Sequence, residues 1–209
     1  MILQLPIGLL GSNCYVLYAR EGGDAAIVDP GVSQPDALTA ELRRRDLHVT
    51  HILYTHGHFD HVIGAPALGL AGVRYGLHPA DRDLLANGGG AAAFGLPVLP
   101  LPTPDLDLEE GIIVAVDTLR IEVLHTPGHT PGCICLHLPE EEALLTGDTL
   151  FKGSVGRTDL PGGDARRLSQ SLKRLLELPP STRIYPGHGA PSSLEVERRH
   201  NPWLRRLSI

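Results

Sequence analysis

One short stretch of the sequence concentrates side chains that can bind a metal ion. It follows a run of residues, Val49 to Tyr54, that is typical of a β-strand, and it reads His56-Gly57-His58-Phe59-Asp60-His61. In an extended or gently turning loop, side chains two residues apart project to the same side. This geometry directs His56, His58 and Asp60 into one cavity, whereas His61 points elsewhere. Because His61 projects to a different side from the other three, the stretch suits two neighbouring cations. We expect His56 and His58 to hold one of them, and Asp60 and His61 to contribute to the second.

Three other predicted strands end in a Gly-flanked His or Asp. His129 follows Gly128, Asp148 follows Gly147, and His188 lies between two glycines. Each is a weak signal alone, because glycine and proline mark turns and a single His is usually structural. Strand ends on one edge of stacked sheets, however, gather residues from distant parts of the sequence into one site. We therefore expect His129, Asp148 and His188 to converge on the first stretch.

Strands alternating with short helices would position these residues. The predicted strands are Cys14 to Ala19, Ala25 to Asp29, His48 to Tyr54, Val73 to Leu77, Gly111 to Val116, Leu119 to Leu124, Cys133 to Leu138, Ala143 to Thr146 and Arg183 to Tyr185. The predicted helices are Pro35 to Arg45, one starting in Asp60 to Leu70, Pro79 to Ala86, Asp164 to Leu176, and a closing helix in the tail with Trp203. The almost uncharged segment from Asn87 to Asp105 predicts a long loop that could contact a substrate or serve a homodimer interface.

Composition favours a soluble globular protein with one well-buried core. Apolar residues make up 42% of the chain and charged residues 20%, and we expect a single domain over residues 1–209. The net charge is −6 and no Lys/Arg run exceeds Arg43-Arg44-Arg45, so we expect no nucleic-acid partner.

The cysteines and the apolar runs point to the cytoplasm. Three cysteines, Cys14, Cys133 and Cys135, cannot make a disulfide framework in a chain of this size. No apolar run approaches 18 residues and the N-terminus lacks a positive region with a cleavage site. We expect a cytoplasmic protein with no membrane partner.

Taken together, the candidate residues resemble the signature of the metallo-β-lactamase superfamily, in order and spacing over nearly the whole chain. The matching set is His56, His58, Asp60, His61, His129, Asp148 and His188. Within the superfamily the pattern is similar to that of glyoxalase II-like hydrolases, which are hydroxyacylglutathione hydrolases, in their small prokaryotic form without the C-terminal helical domain. The resemblance implies an α/β fold, a four-layer αβ/βα sandwich with the metals between the two sheets at one end.

The resemblance also implies a ligand role for each residue. One metal would be held by His56, His58 and His129, the other by Asp60, His61 and His188, and Asp148 would bridge both. The expected cofactors are two divalent metal ions. Zinc is the first expectation, but histidine with a bridging carboxylate also suits iron or manganese.

Two departures separate this chain from the antibiotic-hydrolysing members of the superfamily. Those members generally lack a His directly after the motif Asp, where this chain has His61, and most carry a Cys where it has Asp148. Oxygen-reducing di-iron relatives carry Glu where His58 stands. Lactam hydrolysis and oxygen reduction are therefore less favoured than thioester hydrolysis.

The segment from Phe151 to Asp164 resembles the corresponding loop of small prokaryotic glyoxalase II-like enzymes. In the larger enzymes a Lys and a Tyr of this loop hold glutathione, and the matching positions here are Arg157 and Asp159. Arg157 could bind a substrate carboxylate bidentately, or it could pair internally with Asp159 or Asp164.

These residues permit hydrolysis without a Ser or Cys nucleophile. Two neighbouring cations can share a water and lower its pKa from about 15.7 towards 7, which gives a hydroxide able to attack a small-molecule thioester such as S-lactoylglutathione. Asp60 would bind metal and orient the attacking oxygen, as the catalytic residue. Asp29 and Thr55 could fix the tautomer of a ligand His, or they could serve only in a turn and a cap.

Two other functions remain open. A persulfide dioxygenase resembles this chain at Gly156-Arg157-Thr158-Asp159 and would use a single iron on His56, His129 and Asp148. A metal-bound, non-catalytic binding module is the other, with the uncharged segment serving a partner.

Overall fold

The computed structural model describes residues 1–6, 8–31 and 35–207. The strands are β1 (Ile2–Leu5), β2 (Cys14–Tyr18), β3 (Asp24–Val28), β4 (His48–Leu53), β5 (Arg74–Leu77), β6 (Leu106–Asp107), β7 (Ile113–Val116), β8 (Leu119–His125), β9 (Ile134–Leu138), β10 (Ala143–Gly147), β11 (Leu150–Phe151), β12 (Ser154–Val155), β13 (Arg183–Pro186) and β14 (Ser192–Ser193). The α-helices are α1 (Asp36–Arg44), α2 (Phe59–Val62), α3 (Arg82–Ala86), α4 (Ala165–Leu175) and α5 (Leu194–His200). Turns of 3-10 helix occur at Leu9–Gly11, Pro66–Leu68, Pro79–Asp81, Gly88–Phe94, Pro139–Glu141 and Leu204–Arg206.

Two six-stranded mixed sheets form the centre of the molecule. The first sheet has the order β1-β2-β3-β4-β5-β6, antiparallel from β1 to β3 and parallel from β3 to β6. The second has the order β14-β13-β10-β9-β8-β7, in which only the β10–β13 pair is parallel. The strands β11 and β12 make a small separate hairpin.

Alternation of side chains along the strands builds a layer on each face of each sheet. In β10, Leu145 packs into the core between the two sheets, whereas Leu144 packs outward against Leu175 of α4. In β2, Val16 packs outward towards Leu38 of α1. Because successive side chains of a strand point to opposite faces, each sheet buries one face on the other sheet and one on helices. The expected four-layer αβ/βα sandwich is confirmed.

Several sequence predictions differ from the structure at the ends of elements. The helix expected in Asp60 to Leu70 is wrong beyond its first turn, since α2 ends at Val62. The Gly64 N–H donates to Pro30 O at 2.9 Å instead of continuing the helix, and Pro66 has no N–H to donate. The loop expected from Asn87 to Asp105 is wrong at its start, where Gly88–Phe94 forms kinked 3-10 helix. The edge strand β1 was not predicted.

The cysteine and membrane predictions can be compared directly with the described part of the chain. Cys14, Cys133 and Cys135 are free and buried, and Cys135 lies in β9 as a small apolar residue. Over residues 1–6, 8–31 and 35–207, no helix combines the length and the apolar character needed to cross a membrane.

One pair of histidines lies outside the candidate site and gives a pH-dependent stability. The rings of His78 and His125 stack with centroids 4.0 Å apart, and burial followed by the neighbouring His125 lowers the pKa of His78 from 6.5 to about 4. The unfolded chain therefore binds a proton on His78 more readily than the folded chain within that window. Folded-state stability is lost as the pH falls from about 6.5 to about 4.

We expect the substitution His78→Asn to reduce this acid sensitivity. Asn keeps an acceptor for the Ala80 N–H, which the His78 Nδ1 accepts at 3.1 Å, but it cannot be protonated. The drop in urea midpoint between pH 7 and pH 4.5 should be smaller in the variant than in the wild-type protein. An equal drop in both proteins would assign the acid sensitivity to other groups.

Candidate metal centre

Four strand ends deliver all the sequence-predicted metal ligands to one place. The loop after β4 carries His56 and His58, and helix α2 directly behind it carries Asp60 and His61. The loop after β8 carries His129, and the segments that follow β10 and β13 carry Asp148 and His188. The residues brought together are His56, His58, Asp60, His61, His129, Asp148 and His188. The expected convergence on one edge of the sheets is therefore observed.

The first group of potential ligands contains three histidines. One ring nitrogen from each of His56, His58 and His129 lies within 4.8 Å of those of the other two. His58 Nδ1 and His129 Nε2 approach to 2.9 Å. Three imidazole nitrogens at these separations can hold one cation.

The second group combines a carboxylate with two histidines. Ligand atoms of Asp60, His61 and His188 also lie within 4.8 Å of one another. The Asp60 Oδ2 atom is 3.2 Å from His188 Nε2 and 3.5 Å from His61 Nε2. This group can hold a second cation.

Asp148 lies between the two groups and reaches both. Its Oδ2 atom is 3.6 Å from His129 Nε2 of the first group and 3.6 Å from His188 Nε2 of the second. Its Oδ1 atom is 3.5 Å from His61 Nε2. The carboxylate is therefore in a position to contact a cation in either group.

Buried polar atoms without partners test whether a metal fits this donor set. His56 Nε2 and Asp148 Oδ1 are buried and have no hydrogen-bond partner. A buried polar atom left unpaired carries a large desolvation cost, and a cation would satisfy both lone pairs. Imidazole and carboxylate donors together suit zinc, iron and manganese. The residues therefore fit a divalent metal centre.

The pKa values of three of these histidines differ according to whether histidines or carboxylates surround each ring. Burial, followed by the neighbouring histidines, lowers the pKa of His56 well below 6.5, and burial lowers that of His58 to about 4. Burial also lowers the pKa of His61, but the carboxylates of Asp148, Asp29 and Asp60 overcome it and raise the pKa to about 10. His56 and His58 of the first group are thus neutral, whereas a cation in the second group must displace a proton from His61.

Asp29 and Thr55 set the orientation of two of these histidines. Thr55 donates its N–H to Asp29 Oδ1 at 2.7 Å and its hydroxyl to Asp29 Oδ2 at 2.6 Å. The same Asp29 Oδ2 lies 3.0 Å from His61 Nδ1, which therefore donates and leaves Nε2 facing the centre. The geometry favours the tautomer-fixing role over a simple turn or cap role.

A second contact orients His56 and a third orients His129. Because the Thr55 hydroxyl proton goes to Asp29, its oxygen accepts from His56 Nδ1 at 3.1 Å. His129 Nδ1 lies 2.7 Å from Arg157 O and donates to it. In both rings Nε2 is left without a proton and faces the centre.

Sequence reasoning missed Asp81, which connects the two histidine loops of the first group. This fully buried carboxylate accepts from Gly57 N at 2.9 Å, from Thr130 Oγ1 at 2.7 Å and from Gly132 N at 2.7 Å. It lies in the first turn of the helix predicted over Pro79 to Ala86, where an acidic residue is common. The sequence carried no signal for contacts this distant.

Ser12 and Asn13, near the N-terminus, hold the loop that carries His188. Asn13 donates its side-chain amide to Pro186 O and Gly189 O, each at 2.9 Å, and its N–H to Gly187 O at 2.7 Å. Ser12 and His188 form an isolated β-bridge. Gly187 is required at its position, because a Cβ there would lie 2.2 Å from Asp148 Oδ1.

Arg157 makes an ion pair within its own loop. Its Nε and Nη2 donate to Asp159 Oδ1 and Oδ2, both at 2.7 Å. The hydrogen bond from Arg157 is the main reason that the pKa of Asp159 falls to about 2. Of the two roles that the sequence left open, the structure contains the internal pair, and the substrate-binding role stays a prediction.

Comparison with known proteins identifies similar sequences and structures. A sequence model of the metallo-beta-lactamase superfamily matches residues 7–188. A protein of Haemophilus influenzae named hydroxyacylglutathione hydrolase GloC is 37% identical, over 98% of this chain and 98% of its own length.

Solved structures of similar proteins carry different names. The BLEG-1 B3 metallo-beta-lactamase has a TM-score of 0.89 and 37% identity, covering 98% of this chain and 99% of that chain. TTHA1623 in a di-iron-bound form has a TM-score of 0.83 and 42% identity, covering 97% of this chain and 100% of that chain. The structure of ETHE1 from Myxococcus xanthus has a TM-score of 0.78 at 27% identity, covering 100% of this chain and 92% of that chain.

We expect the substitution Asp29→Asn to weaken metal binding by about 10- to 100-fold. The Asn side chain retains one acceptor, which the Thr55 N–H uses, and presents an NH2 group where Asp29 Oδ2 accepts. His61 Nδ1 would then have to accept, which moves its proton to the nitrogen that faces the centre. Competition with a chelator measures the affinity. The exposed Asp24→Asn is the control, and equal affinity in the two variants would show that Asp29 has no positioning role.

We expect the substitution Asp81→Asn to destabilise the fold by about 1–3 kcal/mol. Both Asp81 oxygens accept hydrogen bonds, and an amide must leave at least one buried donor unpaired. Urea unfolding of the metal-free protein measures the loss. The exposed Asp83→Asn should change stability little, and similar midpoints for both variants would contradict the linking role of Asp81.

Proposed function

The chain belongs to the metallo-beta-lactamase superfamily, and we propose that it is a binuclear metal-dependent hydrolase that cleaves the thioester of a small acyl-thiol. The single observation that carries the proposal is the position of Asp148 between two complete ligand groups. The similarity to a hydroxyacylglutathione hydrolase over nearly the whole chain supports the choice of bond.

The proposed ligands form the two groups of neighbouring side chains described above, with Asp148 between them. His56, His58 and His129 would hold one ion, Asp60, His61 and His188 the other, and Asp148 would contact both. When bound, the two divalent ions supply a water that is acidic enough to act at neutral pH and a Lewis acid for the scissile carbonyl. We propose zinc, and the di-iron form of a similar protein makes iron the first alternative.

The protein side chains provide orientation rather than a covalent nucleophile. We propose that the Asp60 carboxylate orients the attacking water, because it lies at the cavity and is held at 3.2 Å by His188 Nε2. Hydrogen-bonding and the charges of His188 and His61 outweigh its burial and keep the pKa of Asp60 low, so it remains an acceptor. Water adds to the carbonyl carbon and the C–S bond breaks to give a carboxylic acid and a thiol. The thiolate leaves readily, since a thiol pKa is about 8.5.

A mononuclear-iron persulfide dioxygenase is the second candidate. The resemblance at Gly156 to Asp159 favours it, and it would use His56, His129 and Asp148 alone. It gives no role to the group formed by Asp60, His61 and His188, whose ligand atoms lie as close together as those of the first group. The hydrolase accounts for both groups, whereas a metal-bound, non-catalytic binding module has no need for a second ion.

We expect the purified protein to bind two equivalents of metal and to hydrolyse S-lactoylglutathione or another acyl-thiol. His58→Ala should lower kcat/KM by at least about 100-fold, because the loss of one ligand weakens the cation that stabilises the transition state. Elemental analysis and a thiol-release assay measure the two quantities.

The control variant is His200→Ala, which changes a histidine at the end of α5, outside the centre. Its activity should equal that of the wild-type protein. One equivalent of iron with oxygen uptake would support the dioxygenase instead. Two bound ions without turnover of any thioester would overturn the proposed reaction.

A further inference from the structure

The cavity at the metal centre has walls that are mostly apolar. It has a volume of about 440 Å³ and reaches His58, Asp60, His129, Asp148 and His188. Beyond these side chains its lining includes Leu10, Phe59, Leu84, Phe94, Leu160 and Pro161. Ligand cavities of this size are common, and apolar walls bind the apolar part of a ligand.

Two of the lining side chains are unusually exposed for their type. Leu10 is 66% exposed and Phe94 is 51% exposed, and the Phe94 ring packs on Phe59 with centroids 5.1 Å apart. Exposed large apolar groups that gather around one cavity mark a binding surface. A ligand bound in the cavity would cover the apolar surface of Leu10 and Phe94 and remove it from water.

Both walls are fixed to the loop that carries the proposed ligands. Gly89 packs so closely that a Cβ there would lie 2.4 Å from Phe59 N and 2.6 Å from Gly57 O. On the other side, Leu10 has the left-handed φ of 57°, and Ser12 beside it donates its hydroxyl to Asp60 O at 2.6 Å. The apolar walls therefore have a defined position relative to the proposed reaction centre.

Away from the proposed metal ligands, the walls of the cavity offer little positive charge to an anionic substrate group. Among the described residues that line it, Arg157 is the one Lys or Arg side chain, and its Nε and Nη2 donate to Asp159. Asp83 adds a carboxylate to the lining. The two carboxylates of a glutathione moiety would therefore find no unpaired guanidinium or ammonium group on this wall.

We propose that the substrate carries an apolar, uncharged group next to the scissile bond, and that Leu10 and Phe94 select it. The inference rests on the proposed function for the identity of the bond. The apolar group could belong to the acyl side or to the thiol side of the substrate, because either side could extend from the reaction centre into the cavity. The expected class is an acyl-thiol with several consecutive methylene groups rather than a short, hydroxylated acyl group on glutathione.

Two series of substrates test the proposal on the metal-loaded protein. The first varies the acyl group on N-acetylcysteamine from acetyl through butanoyl to hexanoyl, and the second varies the thiol of thioacetates from ethyl through butyl to hexyl. In one series kcat/KM should rise by up to about 4-fold per methylene, the value expected for burying each one. Phe94→Ala and Leu10→Ala should each reduce the ratio of hexanoyl to acetyl, or of hexyl to ethyl, by about 3- to 10-fold.

Ile113→Ala is the matched control, because Ile113 is 48% exposed on β7 and does not line the cavity. It should leave the chain-length ratio unchanged. The proposal is overturned if neither series depends on chain length, or if S-lactoylglutathione is cleaved more efficiently than every longer uncharged thioester.

A binding measurement separates this inference from the proposed reaction. The thioethers S-ethyl- and S-hexyl-N-acetylcysteamine cannot be hydrolysed, and calorimetry gives their affinities. Tighter binding of the hexyl compound, weakened in Phe94→Ala, supports the apolar site even if no thioester is turned over. Equal affinities of the two thioethers for the wild-type protein would overturn it.

Discussion

Ligand atoms gathered at the end of the sandwich govern the rest of the structure. His58 Nδ1 and His129 Nε2 are hydrogen-bonded at 2.9 Å, whereas two buried atoms, His56 Nε2 and Asp148 Oδ1, have no partner. Leaving these two atoms unpaired is unfavourable without a cation. The surrounding contacts are needed because they prevent the side chains from turning away. Asp29 and Thr55 fix the tautomers, Asp81 joins the loops, and Asn13 holds the last strand end.

The convergence of the centre was predictable because its signals are local and repeated, whereas the layer order was implied by the resemblance to a known superfamily. The spacing of His56, His58 and Asp60 follows from a loop after a strand, and glycine marks each of the other strand ends. In β8 the buried Leu119, Ile121 and Val123 alternate with polar residues, and this alternation specifies which face is buried. These features depend on residues that lie close together in the sequence, so the sequence pattern is enough to predict them.

The features that pattern did not predict depend on contacts between distant segments. Asp81 is an ordinary acidic residue of a helical first turn in sequence, but it accepts from Gly57 and Thr130 in the structure. The helix expected after Asp60 stops at Val62 because Gly64 bonds to Pro30 in another segment. Likewise, nothing in the sequence indicates that Leu10 and Phe94, far apart in the chain, line the same cavity. Tertiary contacts override local preference in each of these cases.

The bridge between Ser12 and His188 also constrains the order of folding. The strand end that carries His188 is held by Asn13, a residue 173 positions from its partner Pro186. Contacts of such sequence separation form late, because a long loop must close before they give any stabilisation. The N-terminal sheet can pack before these contacts form, yet the second group of ligands lacks His188 until β13 has docked on the N-terminal segment. Assembly of that group therefore depends on closing a loop that spans most of the chain.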